Sequence, residues 1–64
     1  MAKYRVQWYE PMAFNELREE FRDFSSKYDA KKWVEKMKKD KNIEGIDLFQ
    51  LPNKELIYRK YMKR

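Results

Sequence analysis

Apolar residues recur along this chain with two different periods. Between residues 26 and 41 the period is helical: Ala30, Trp33, Val34 and Met37 fall at i, i+3, i+4 and i+7, while Lys31, Lys32, Glu35, Lys36, Lys38 and Lys39 take the opposite side. Ser26 followed by Asp29 makes a capping-box start, the hydroxyl accepting from a backbone N–H that the helix leaves orphaned. Asp29 then sits at the positive end of the helix dipole, and Lys36, Lys38, Lys39 and Lys41 crowd the negative end. Glu35 to Lys39 is an ion pair in the favoured order, and Asn42 is the expected left-handed terminator. A helix of this length is marginal in water alone, so its stripe must lie on something else, and a sheet is expected.

The other period is two. Residues 3–10, KYRVQWYE, alternate Tyr4, Val6 and Trp8 on one face with Arg5, Gln7 and Tyr9 on the other, which predicts a strand closed by Pro11. After the helix, residues 42–51 pass Ile43 and Gly45 into Ile46, Leu48, Phe49 and Leu51, a strand with apolar residues on both faces. Pro52 and Asn53 are turn residues, and residues 54–61, KELIYRKY, are a further strand without clean alternation. The ambiguous part is residues 12–24. Phe14, Leu17, Phe21 and Phe24 are spaced for a helix, yet a helix there would run almost directly into the next and leave the first strand without a neighbour. A hairpin with residues 17–25 as the second strand resolves this. The expected fold is α+β in ββαββ order, a small antiparallel sheet with one amphipathic helix on one face; the alternative is βααββ with residues 13–24 helical.

Sixty-four residues make one domain, residues 1–64, near the lower limit for a single core. Two Trp, five Tyr and four Phe supply the bulk that so few positions need. There is no Cys and no His, which removes disulfides and the common zinc ligands, and a cytoplasmic location is the expectation. No run approaches the roughly 18 apolar residues of a membrane span, and no apolar signal-peptide core is seen. The net charge of +5 is unevenly spread: acids outnumber bases over residues 10–24 and 42–58, while residues 25–41 and the segment from Arg59 are basic.

Catalysis requires a nucleophile, a tuned acid or base, or a metal. With His, Cys and Thr absent, Ser25 and Ser26 are the hydroxyls besides tyrosine, and helix capping accounts for them. Glu19, Glu20 and Asp23 suit a hard cation in principle, but Arg18 and Arg22 beside them point to ion pairing. One glycine cannot build a phosphate loop. The expectation is a protein with no enzymatic activity, cofactor, metal or small-molecule substrate.

The opening YxVxWY strand, the Phe24-Ser25-Ser26 entry to Ala30 and Trp33, the short Lys-rich helix and the spacing of Ile43, Ile46 and Leu48 together resemble short accessory proteins of phages and prophages of low-GC Gram-positive bacteria. The resemblance covers most of the chain, is one of pattern, and transfers no functional residue. Residues 12–17 depart from it in being apolar where a simple turn is polar. It implies a ββαββ order; the roles of such proteins are mostly unassigned or concern host takeover and DNA metabolism. Two surfaces follow from the residues themselves. If the helix covers one face of the sheet, Tyr9, Phe49, Leu51 and Tyr61 lie on the uncovered one and form a protein interface, for a homodimer or for a partner whose activity is modulated. Alternatively, Lys31, Lys32, Lys38, Lys39, Arg59, Lys60, Lys63 and Arg64 form a nucleic-acid surface, with Tyr9, Tyr58 and Tyr61 as stacking rings.

Overall fold

A computed structural model describes residues 3–61. Its elements are β1 (Tyr4–Pro11), β2 (Leu17–Phe24), α1 (Lys27–Lys38), β3 (Gly45–Gln50) and β4 (Glu55–Tyr61), the expected ββαββ order. They build one antiparallel sheet in the order β2-β1-β3-β4. Because β2 and β3 both run antiparallel to β1 and flank it, they are parallel to each other. A chain passing from one to the other must cross the sheet, and α1 is that crossing. This is why the helix lies over the sheet and why residues 17–24 extend despite their helical spacing: as a strand they take the free side of β1.

The hairpin register, Tyr4 opposite Phe24 through Pro11 opposite Leu17, decides which side chains share a face. Val6 stands beside Leu48 and Trp8 beside Ile46. These four lie under Ala30 and Val34 of α1, with Ile43 closing the end, and Tyr4, Phe24, Trp33, Met37 and Tyr58 pack around them. The rings of Trp8 and Phe24 meet Trp33 at centroid distances of 5.9 and 6.0 Å, within the range where tilted aromatic pairs attract. Between β3 and β4 the register slips: Leu48 pairs with Tyr58 but Phe49 pairs with Leu56, so Ile57 is an extra residue. That bulge explains why residues 54–61 do not alternate, since Tyr58 turns toward the helix and Leu56 away from it.

The helix starts as expected, with Ser26 Oγ accepting from the Asp29 N–H at 3.4 Å. Its end is different. Asn42 is not left-handed; Lys39 caps the helix in right-handed geometry, and the Asp40 carboxylate accepts from the Asn42 N–H at 2.9 Å. The side chain of Asp40 thus supplies the turn that a positive φ would otherwise provide. Glu35 reaches Lys38, one turn on, at 3.2 Å rather than Lys39.

Candidate interaction surfaces

The face of the sheet that α1 leaves uncovered carries Leu17, Glu19, Phe21 and Asp23 from β2, Arg5, Gln7, Tyr9 and Pro11 from β1, Gly45, Asp47 and Phe49 from β3, and Leu56, Arg59 and Tyr61 from β4. Its middle is polar. Asp47, 1 % exposed, accepts from the Tyr9 hydroxyl at 3.0 Å and from Arg59 Nε at 2.8 Å, and Gln7 Nε2 donates to the Tyr9 oxygen at 3.3 Å. The Gln7 hydrogen bond favours the Tyr9 phenolate, but burial and the adjacent Asp47 outweigh it and raise the phenol above its ordinary value. Asp47 also holds the Arg59 guanidinium above its usual value. Gly45 lets two rings close over the strand: a Cβ there would lie 2.9 Å from Tyr61 Cδ1 and 3.4 Å from Tyr9 Cδ2.

Two of the expected interface residues are therefore already engaged. Tyr9 is half-buried with its hydroxyl committed to Asp47. Phe49 is only 8 % exposed: Arg5 and Leu56 flank it in register and the Lys54 ammonium lies 5.0 Å from its ring centroid. Leu51 lies in the turn after β3, not in the strand, and is half-buried. Tyr61 alone of the four is exposed.

Exposed apolar side chains lie at β4, with Leu56, Ile57 and Tyr61, and at the β1–β2 hairpin. Residues 12–16 close it through a hydrogen bond from the Met12 N–H to the Glu16 carbonyl at 2.7 Å. Phe14 occupies the left-handed region, φ 63 and ψ 31, and is 94 % exposed. Met12 and Leu17 are exposed at the same end of the hairpin, and Phe21 is exposed farther along β2 with the Arg5 guanidinium 4.3 Å from its ring centroid. Sequence periodicity counted Phe14, Leu17 and Phe21 as one helical stripe; the hairpin puts Phe14 at its tip and the other two on the uncovered face.

The basic residues are also divided. Lys31 lines a cleft of about 220 Å³ with Val34, Glu35, Leu48 and Tyr58, between α1 and β4. There Lys38 is occupied, its ammonium raised by the Tyr58 hydroxyl and by Glu35. Arg59 belongs to Asp47 on the opposite face of the sheet, so it does not join the helix lysines. Lys60, beside Ile46, is on the helix side, and Lys39 is exposed at the helix end. Lys63 and Arg64 lie outside the described residues. Of the suggested stacking rings, Tyr58 faces the helix while Tyr9 and Tyr61 face away, so the three form no single platform.

On the other flank of α1, Arg22, Phe24, Asp29, Lys32, Trp33 and Lys36 line a cleft of about 510 Å³. The Arg22 guanidinium lies 4.7 Å from the Trp33 centroid and the Lys36 ammonium 5.0 Å, with Lys32 5.5 Å from Tyr28. Of the nearby carboxylates Asp29 lines the cleft itself, while Asp23 pairs with Arg5 at 2.7 Å and Glu20 with Arg18 at 2.6 Å. Ion pairing of Asp23 and Glu20 was expected, but with Arg22 as a partner; the register puts Asp23 opposite Arg5 and on the other side of the sheet from Arg22. The Arg5 hydrogen bond holds the Asp23 carboxyl below its usual range, against the opposing effect of burial. Sequence reasoning missed Arg22 and Lys36 as site residues because the cleft exists only where β2 meets α1, and Tyr28 because it adjoins that cleft through Lys32.

Among the described residues no helix is long and apolar enough to cross a membrane. No family model, curated protein or solved structure matches this chain.

Proposed function

We propose that this chain is a non-enzymatic cytoplasmic accessory protein, of the phage type its pattern resembles, that acts by protein–protein interaction. The observation that carries this reading is Phe14. Its ring stands almost wholly in water on a backbone conformation that costs an ordinary residue about 1–2 kcal/mol. The positive φ serves the loop that closes the hairpin, but folding gains nothing from the exposed ring, and an aromatic anchor held out at a hairpin tip suits insertion into a partner. Leu17 and Phe21 extend the contact along β2, and exposed Glu16 and Glu19 border it. The partner it fits is a protein with an apolar pocket rimmed by basic side chains. Self-association through Leu56 and Tyr61, at the other edge of the same face, is the homodimer form of this reading.

The test is capture from the host cell with and without nuclease, by the wild-type chain and by Phe14→Ser, alongside sedimentation at micromolar concentration. A nuclease-resistant partner lost at least about 30-fold on Phe14→Ser, with the far-ultraviolet spectrum intact, is the expected outcome, since truncating a hot-spot aromatic costs about 2 kcal/mol or more. A strict monomer whose captured proteins are the same for both chains refutes it. A second reading, nucleic-acid binding, is favoured by one observation: among the described residues Arg22, Lys32 and Lys36 of the β2–α1 cleft are in no ion pair.

A further inference from the structure

We propose that the cleft between β2 and α1 is a binding site for single-stranded nucleic acid, with Arg22, Lys32 and Lys36 on the phosphates and Tyr28 stacked on a base. This rests on the nucleic-acid reading above and assigns it to one flank of the helix. Three features of the cleft support it.

First, its charge is available. Arg22, Lys32 and Lys36 converge on one concave surface, none is in an ion pair among the described residues, and Asp29 is the one acid in the lining. The opposite flank has Lys31 and Lys38 too, but there Glu35 and Tyr58 hold Lys38. Second, the cations are positioned. Arg22 is braced against the rings of Trp33 and Phe24, at 4.7 and 5.7 Å, which presents a planar fork of donors suited to phosphate oxygens. Lys32 and Lys36 are one helical turn apart, about 6 Å along the axis, and so form a row beside that fork. Third, an aromatic surface adjoins them. Tyr28, one turn before Lys32, is 69 % exposed on α1 with the Lys32 ammonium 5.5 Å from its centroid, while Trp33 is half-buried with Arg22 and Lys36 over its ring at 4.7 and 5.0 Å. Tyr28 is therefore the more accessible ring for a base, with Lys32 on a flexible stem able to move from it to a phosphate, and only an unpaired strand offers a base face to stack on it. Charge alone would fit any polyanion; the exposed ring beside the row of charge selects a single strand.

Titration of an oligothymidylate at several salt concentrations, followed by amide and indole NMR shifts, tests the assignment. Three phosphate contacts on a single strand predict a slope of log K against log salt of about −2, or roughly 20-fold weaker binding at 200 mM than at 50 mM salt. The shifts should centre on Arg22, Tyr28, Lys32, Trp33 and Lys36. Lys32→Gln and Lys36→Gln, at exposed helix positions that leave the core intact, should each reduce the slope by about 0.7, and Tyr28→Ala should weaken binding about fivefold or more at any salt. Lys38→Gln removes one charge on the opposite flank and should change neither. If oligothymidylate binds but Lys38→Gln is as costly as Lys32→Gln, or the shifts centre elsewhere, the site is wrong while nucleic-acid binding survives. Absence of binding at low salt overturns both. Tripolyphosphate binding as tightly as the oligonucleotide, or duplex binding better than single strand, overturns the single-strand assignment.

Discussion

The polar group at the centre of the uncovered face makes a sharp energetic prediction. Asp47 sits between Tyr9 and Arg59 with its carboxylate 1 % exposed, so Asp47→Ala removes three hydrogen-bond contacts, from the Tyr9 hydroxyl at 3.0 Å and from Arg59 at 2.8 and 3.5 Å. The stranded donors differ. Arg59 is exposed and turns to water, whereas the Tyr9 hydroxyl is half-buried. The expected loss is therefore set mainly by the tyrosine and by the charge-assisted character of its bond, about 1–3 kcal/mol. Tyr9→Phe removes the same bond but leaves the carboxylate its arginine, and should cost about 1 kcal/mol. For a domain whose whole stability is of the order of 3–10 kcal/mol, losses of this size lower the midpoint visibly, by roughly 4–8 °C per kcal/mol. Urea unfolding followed by tryptophan fluorescence, which reads the core indoles of Trp8 and Trp33, measures both variants and the double variant. The double variant should cost less than the sum of the singles by at least about 0.5 kcal/mol, because the shared bond is lost only once. Strict additivity, or an Asp47→Ala chain as stable as wild type, would show that the network does not hold this face together.

Other substitutions probe the rest of the structure. Phe14→Asn should raise stability by up to about 1 kcal/mol, since asparagine tolerates positive φ, while abolishing partner capture; a destabilised chain in thermal melts would contradict the left-handed tip. Ser26→Ala should cost about 1 kcal/mol through loss of the helix cap, measured by urea titration, and an unchanged midpoint would mean the 3.4 Å contact contributes nothing. Asp23 has its folded pKa depressed by Arg5, so its contribution is present above the ordinary carboxylate range near pH 4 and is lost as pH falls through the lower folded value. Stability profiles below pH 5 should thus be flatter for Asp23→Asn than for wild type. Tyr9 works in the opposite direction: its raised phenol pKa gives stability below about pH 10 that disappears as pH rises through the folded value, and Tyr9→Phe should remove that alkaline loss.

The helix, its cap and its buried stripe were legible in the sequence because i, i+4 spacing is a local property, and so was the alternation that put Val6, Trp8, Ile46 and Leu48 toward it. Residues 12–24 were not settled by their own pattern. Phe14, Leu17, Phe21 and Phe24 fit a helix as well as a strand, and it is the vacant side of β1 that makes Leu17–Phe24 extend. The uncovered face was foreseen as a face but not as a surface. Alternation assigns Phe49 to it; burial of that ring depends on Arg5, Lys54 and Leu56, which arrive from two other strands and a turn.

Charge divides in the same way. The sequence by itself determined the number of cations and that most of those on α1 face water, because a helix repeats its own geometry. Only the tertiary structure decided which are free. Arg59 goes to a carboxylate on the neighbouring strand, Lys38 to Glu35 and Tyr58, and Arg22, on the helix side of β2 away from Asp23, is in no ion pair among the described residues. A side chain's partner is fixed by register and by which elements meet, and neither is encoded in the spacing of any one segment.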